Sequence, residues 1–193
     1  AIDGDGNLYT WGYNSYGQQG ISIDNIYTPR KVPTLEQIID IAVENNTIIV
    51  LDKKGEVLSS GYNTYGNLGN NATQTRKSFD KVIEKYETIT TGEGEEETTT
   101  TTPVYLSGIK SIEAGNEYAV AIKEDGTAIS WGYNGYSQSS NGTTTNNLLP
   151  VDLKYGKDKE NIDKIINVSA GEGTIVVVRE DGKVWTIGKN YSG

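Results

Sequence analysis

A chain of 193 residues with 35% apolar residues, 23 glycines and four prolines is long enough for one domain, too apolar for wholesale disorder and too poor in proline for collagen. It has no cysteine and no histidine, which removes disulfides, thiolate nucleophiles, zinc ribbons, iron–sulfur sites, imidazole bases and Ser–His–Asp triads. Lys and Arg number 17 against 26 Asp and Glu, and the resulting charge of −9 repels phosphate backbones and disfavours nucleic acid as the main partner.

The first element in chain order is a hairpin. Asp5-Gly6 fits a type I′ turn, which needs φ > 0 at both central residues. A short mixed strand follows at Leu8–Trp11, and Gly12-Tyr-Asn-Ser-Tyr-Gly17 ends it, because glycine and asparagine tolerate left-handed backbone. The second hairpin has Thr47–Leu51, β-branched and apolar, as a strand buried on both faces. Its turn, Lys54-Gly55, keeps only the glycine and is expected to be the weakest of the set. The third runs Tyr118–Ile122, Asp125-Gly126, Ala128–Trp131, and the fourth Thr174–Val178, Asp181-Gly182 and onward to Gly193. Between the second and third lies an acidic, Thr-rich insertion at residues 84–103, expected as a solvated loop. Its carboxylates at Glu93 and Glu95–Glu97 lack the alternating ligand spacing of a calcium loop. Tyr155–Ile166 comes nearest to a helical stripe, but Gly156 and a charge run make it a long loop. The class is all-β.

The hairpins are copies of one another. Asp5–Gly20, Lys54–Gly69, Asp125–Ser140 and Asp181–Gly193 align without gaps, and their second glycines, Gly12, Gly61, Gly132 and Gly188, are spaced by 49, 71 and 56 residues. A second set, Ile41–Leu51, Ile112–Ile122 and Val168–Val178, keeps the same phase. Units of about 50 residues with about four short strands suit propeller blades. Asp-Gly-x-Leu-Tyr-x-Trp-Gly-x-Asn-x-x-Gly-Gln, preceded by Ile-x-Ala-Gly, resembles the regulator-of-chromosome-condensation repeat over essentially the whole chain. The resemblance implies a β-propeller, usually seven-bladed in that family, of which three to four blades, about half a ring, would be present here. Glu44, Gly115 and Gly171 stand at the Gly of the family's Ala-Gly-x-x-His motif. Thr47, Tyr118 and Thr174 stand where His is usual, and Ser137 and Ser140 replace turn glycines. These departures point to a divergent, bacterial branch.

Two sets of residues follow as candidates. Tyr13, Tyr62 and Tyr133, with Tyr16, Tyr65 and Tyr136 three residues on, recur at fixed positions and so lie round one face. They serve either blade-to-blade packing or a tyrosine-rich binding rim. Gly6, Gly12, Gly55, Gly61, Gly115, Gly126, Gly132, Gly171, Gly182 and Gly188 are expected to be structural, as are Trp11 and Trp131 between sheets. No catalytic pair, metal site or cofactor loop emerges: the repeated Asp-Gly carboxylates lie on separate blades and cannot converge. The functional expectation is a non-catalytic protein–protein interaction propeller, extracellular or on the cell surface, binding through loops on one face. The resemblance adds enzyme inhibition, as by a bacterial β-lactamase-inhibitory propeller, and less favoured guanine-nucleotide exchange on a small GTPase; an aromatic rim also suits a glycan. No stretch approaches the roughly 20 apolar residues of a membrane span. No signal peptide is visible, and a start at Ala1 without any Met suggests a piece of a longer protein, with self-association as one way to complete a ring.

Overall fold

The computed structural model describes residues 1–21, 24–92, 97–155 and 160–191, so Glu93, Glu95 and Glu96 of the acidic run lie outside the described residues. Among the described residues every regular element is a strand, and every pairing between neighbours in a sheet is antiparallel. The first sheet pairs β1 (Tyr9–Gly12) with β2 (Ile26–Lys31). The second runs β3 (Ile38–Glu44), β4 (Thr47–Asp52), β5 (Val57–Gly61), β6 (Arg76–Lys81). A separate ribbon joins β7 (Ile83–Thr91) to β8 (Thr98–Tyr105). The third sheet repeats the second with β9 (Ile109–Gly115), β10 (Tyr118–Lys123), β11 (Ala128–Gly132) and β12 (Asn147–Asp152). A two-residue pair, β13 (Lys154–Tyr155) with β14 (Glu160–Asn161), precedes the fourth sheet of β15 (Ile165–Ala170), β16 (Thr174–Arg179) and β17 (Val184–Gly188). Two complete meanders flanked by two partial ones make an open partial propeller.

The alternation of side chains along a strand explains why the second strand of each unit is so apolar. Ile48 and Val50 of β4 join Leu8, Val32 and Leu35 against the first sheet. Ile49 and Leu51, pointing the other way, pack with Ile112, Ala119, Ala121 and Trp131 of the third sheet. In β10, Tyr118, Val120 and Ile122 turn towards Val168, Ile175 and Val177 of the fourth. Both faces of β4 and β10 are therefore core, as the sequence suggests. In β16 burial alternates, because one of its faces has no neighbouring sheet among the described residues. The outer strands β2 and β12 are mostly exposed or half-buried and admit Pro29 and Pro150, as edge strands can.

The turn chemistry differs from expectation. Gly6, Gly55, Gly126 and Gly182 all have φ near +80°, but Asp5, Lys54, Asp125 and Asp181 do not have positive φ. In each turn the glycine N–H returns to the carbonyl three residues back, as Gly55 to Asp52 at 3.0 Å and Gly126 to Lys123 at 3.0 Å. These are three-residue loops, a type I turn closed by a left-handed glycine, rather than type I′ turns. Lys54 therefore fits without strain, and the second turn is not weakened. Its carboxylate has moved to Asp52, whose Oδ1 accepts the N–H groups of Lys54 and Glu56, each at 2.9 Å.

The insertion is also not an irregular loop. Residues 83–91 and 98–105 zip into an antiparallel ribbon from Ile83↔Tyr105 to Thr91↔Thr98. Threonines alternate along one face of it, with hydroxyl contacts Thr88–Thr101 at 3.0 Å and Thr90–Thr99 at 3.3 Å. β-branched residues favour extended backbone even where they bury little. Part of the segment read as a long loop, Tyr155–Ile166, is likewise ordered, into β14 and the start of β15.

Candidate functional site: the tyrosine face

In each complete unit the third strand ends opposite the start of the second, at Thr47↔Gly61 and Tyr118↔Gly132. The tight turns at 45–46 and 116–117 and the long loops after Gly61 and Gly132 therefore share one end of the sheets, opposite the Asp-Gly turns. Glycine makes the junction possible. Gly61 and Gly132 have φ of +113° and +98°, and a Cβ there would run into the carbonyl oxygen of Asn46 or Glu117. Those carbonyls accept the N–H of the following residue, Tyr62 to Asn46 at 2.9 Å and Tyr133 to Glu117 at 2.8 Å. Gly188 repeats the device with Lys189 and Gly173 at 2.9 Å.

The loops themselves are held by buried polar side chains. Asn63 accepts the Leu68 N–H at 2.8 Å and donates to the Ala72 and Gln74 carbonyls at 3.0 and 3.1 Å. Asn134 accepts from Ser139 at 2.9 Å and donates to Thr143 and Thr145, and Asn14 accepts from Gln19 at 2.9 Å. By residue type these asparagines are expected as tolerant turn residues. None has positive φ; each is a buried clamp on its loop. Their recurrence at one repeat position was the available signal.

Clamped in this way, the loops line up all six candidate tyrosines in one chain of edge-to-face contacts. Within a unit the ring centroids are 6.5 Å apart for Tyr13–Tyr16, 6.4 Å for Tyr62–Tyr65 and 5.6 Å for Tyr133–Tyr136. Across the seams between units they are 5.2 Å for both Tyr16–Tyr62 and Tyr65–Tyr133. A seventh ring, Tyr191, continues the chain at 5.7 Å from Tyr136. Gap-free alignment hides it, because the fourth copy carries its aromatic residue one position early and Lys189 where the others have tyrosine. The Lys189 ammonium stands 5.2 Å from the Tyr136 ring centre and 5.6 Å from that of Tyr191. It stands at the repeat position that Tyr62 and Tyr133 hold in the earlier units, and Glu172 lies 3.4 Å from it. The tyrosines are packing residues and surface residues at once: Tyr13 is 57% and Tyr191 78% exposed, and the rings between them are half-buried.

The remaining candidates divide. Trp131 is fully buried and donates its Nε1–H to the Asn67 carbonyl at 3.0 Å, stitching the third unit to the second. Trp11, expected to be its equal, is 49% exposed, because no sheet covers that side of β1 among the described residues. Gly115 lies against the Tyr118 ring, which leaves no room for a side chain. Gly171 is not among the positive-φ glycines and has room for a Cβ, 3.7 Å from the Thr174 carbonyl oxygen; its own carbonyl accepts the Tyr118 hydroxyl at 3.1 Å. Ser137 and Ser140 keep the left-handed conformation of the glycines they replace, with φ of +57° and +49°.

Carboxylates border the tyrosine chain on its inner side. Glu44, Glu117 and Glu172 belong to the tight turns, and Asn45 donates to Asn116 across the seam. Burial holds the Glu117 carboxyl above the ordinary glutamate range, against a hydrogen bond from Asn45 that lowers it and with Glu44 adding to the rise. Burial, with Asp40 nearby, does the same to Glu113 on β9. Tyr118 is raised beyond the tyrosine range, mainly by burial. Among the described residues no group of three or more carboxylates is arranged to hold a metal ion, and no helix is long and apolar enough to cross a membrane.

Models of the regulator of chromosome condensation (RCC1) repeat match residues 5–50, 109–138 and 165–193. The chain belongs to the RCC1 repeat family. It is 27% identical over 195 residues to the human E3 ubiquitin-protein ligase HERC2, covering 98% of this chain and 4% of that protein. By fold it superposes on human WBSCR16 with a TM-score of 0.72 at 20% identity, over 99% of this chain and 46% of the other. On yeast RCC1 (Prp20) bound to Kap60 the TM-score is 0.67 at 22% identity, over 96% and 38%. The chain spans less than half the length of each.

Proposed function

We propose that the chain is a non-catalytic binding module that captures a protein partner on its tyrosine face. The observation that carries this reading is the continuous line of seven tyrosine rings on the loop end of the sheets, open to solvent at Tyr13 and Tyr191. Tyrosine presents a large, rigid surface with a polar tip and loses little entropy when covered, which suits it to anchor an interface. Rings locked by their neighbours are pre-organised further. The occurrence of a family structure in complex with another protein, Kap60, agrees with this use of the fold.

The test is a photo-crosslinking comparison. A benzophenone side chain placed at Tyr13 traps the partner in extracts of the source, while the same group at Lys183, on the Asp-Gly end, traps none. Tyr13→Ala with Tyr62→Ala then weakens the purified partner by about thirtyfold or more, the effect of losing an aromatic anchor. Equal trapping at both ends, or unchanged affinity with a normal melting curve, overturns the proposal.

A further inference from the structure

A small cavity lies at the seam between the second and third units, the seam that the Tyr65–Tyr133 contact also crosses. Glu44, Thr47 and Asn67 line it from one unit and Glu117 and Tyr118 from the other, with Ile49 and Ala114 as the apolar part of its wall. Its free volume is about 10 Å³, room for one water-sized group.

One polar atom of the lining lacks a donor, whereas Thr47 Oγ1 and, through Asn45, the Glu117 carboxylate already have partners. Asn67 is 1% exposed; its Nδ2 donates to Thr47 Oγ1 and to the Tyr62 carbonyl, each at 2.6 Å. A carbonyl only accepts, so the amide orientation is fixed and Oδ1 is the free end. That oxygen has no hydrogen-bond partner among the described residues, a costly state for a buried acceptor. Tyr118 cannot supply the missing donor, since its hydroxyl is directed to the carbonyls of Gly171 and Thr174 at 3.1 and 3.0 Å. Two carboxylates and an orphan amide oxygen around a water-sized space match the three N–H bonds of one ammonium group.

The chain itself supplies a precedent at the next seam. There the ammonium of Lys189 lies between Tyr136 and Tyr191 with Glu172 beside it, so a lysine already occupies a tyrosine–glutamate setting of the same kind. The second-to-third seam has tyrosines and glutamates but, at the position of Lys189, Tyr133. We propose that the cavity bounded by Glu44, Asn67 and Glu117 is a socket for a lysine side chain of the protein partner, its stem lying over Tyr65 and Tyr133. This rests on the protein-binding reading of the tyrosine face and adds the chemistry of the partner. Guanidinium is planar and larger than the space, so lysine is selected over arginine.

Calorimetry with the full chain at low salt tests this, using octalysine, octa-arginine and Nε-acetylated octalysine as probes. Octalysine binds, octa-arginine binds about tenfold more weakly, and the acetylated peptide does not bind. Glu44→Gln with Glu117→Gln, isosteric changes that keep the fold, lower octalysine affinity about tenfold or more. Equal affinity for the lysine and arginine peptides, unaffected by these substitutions, overturns the socket, because attraction to the overall charge of −9 would then account for the binding. Stoichiometric displacement of octalysine by calcium ions also overturns it, by assigning the space to a metal. If Tyr13→Ala with Tyr62→Ala abolishes partner binding but Glu117→Gln leaves it unchanged, the socket fails and the tyrosine face stands. The reverse pattern keeps the socket and removes the tyrosines as anchors.

Discussion

Gly61 and Ser137 show how differently single residues bear on this fold. Gly61 combines φ of +113° with a Cβ position overlapping the Asn46 carbonyl, so Gly61→Ala imposes backbone strain and also pushes away an acceptor that Tyr62 uses. Strain alone costs about 1–3 kcal/mol and the broken contact adds to it, so we expect a loss of about 3 kcal/mol or more in chemical denaturation. Ser137 has the opposite sign. It holds φ of +57° where the earlier copies have glycine, so Ser137→Gly is expected to raise stability by about 0.5–1 kcal/mol. A fall on Ser137→Gly would mean that its hydroxyl bond to Thr143, at 3.2 Å, outweighs the strain. These conformations were only partly legible. A repeated glycine announces a special backbone position but not which kind, so the Asp-Gly turns fitted a two-residue scheme until the hydrogen bonds showed three-residue loops. The clamp asparagines were visible as a repeated letter; that they are buried acceptors and donors depends on loops folding back over them, which spacing does not encode.

At the scale of elements, the strands that carry alternating core residues were legible almost to the residue. The expected Thr47–Leu51, Tyr118–Ile122 and Thr174–Val178 each extend by one residue in the structure. The outer strands were not legible, because edge strands carry no apolar alternation and little shared sequence. The ribbon was missed for a related reason. Its residues bury almost nothing, so composition read it as solvent-exposed loop, whereas β-branched threonines and cross-strand hydroxyl pairs are enough to keep it extended. Its base is anchored by buried Val82, Ile83 and Leu106 and by the bond from Leu106 N–H to the Val82 carbonyl at 2.9 Å. Replacing residues 85–103 by a two-residue Asn-Gly turn should therefore leave the propeller intact, with a change in Tm of less than about 4 °C. A larger drop in thermal unfolding would show that the ribbon braces the neighbouring strand β12.

For the whole molecule, acidity shapes how stability responds to pH. Half-buried Asp3 and exposed Asp125 and Asp181 are held below the ordinary carboxylate range, first by side-chain hydrogen bonds from Asn7, Thr127 and Lys183 respectively. Their contribution is present above the ordinary range and is lost as pH falls through their lowered values. Glu113 and Glu117 act in the other direction. Raised by burial, they bind more protons in the folded state, so stability falls as pH rises from the ordinary glutamate value through their own. Stability should thus peak on the acid side of neutrality. Glu113→Gln with Glu117→Gln should flatten the descending limb and raise stability at pH 7, seen as a higher denaturant midpoint in a series from about pH 4 to pH 8. An unchanged limb would show that both carboxylates stay hydrated. Globally the architecture was legible from the two phased motifs alone, since a unit that buries both faces of its second strand must stack on copies of itself.

The line of tyrosines has an optical consequence. Seven phenol rings in successive edge-to-face contact, at 5.2–6.5 Å, are close enough that an absorbed photon does not stay on one of them. The excitation hops along a row that crosses every seam between units, so coupling between neighbouring rings adds to the near-ultraviolet rotational strength of the single tyrosines. Separation of two units cuts the row at a known contact. The propeller thus carries, in its own side chains, a built-in gauge of whether its units are stacked.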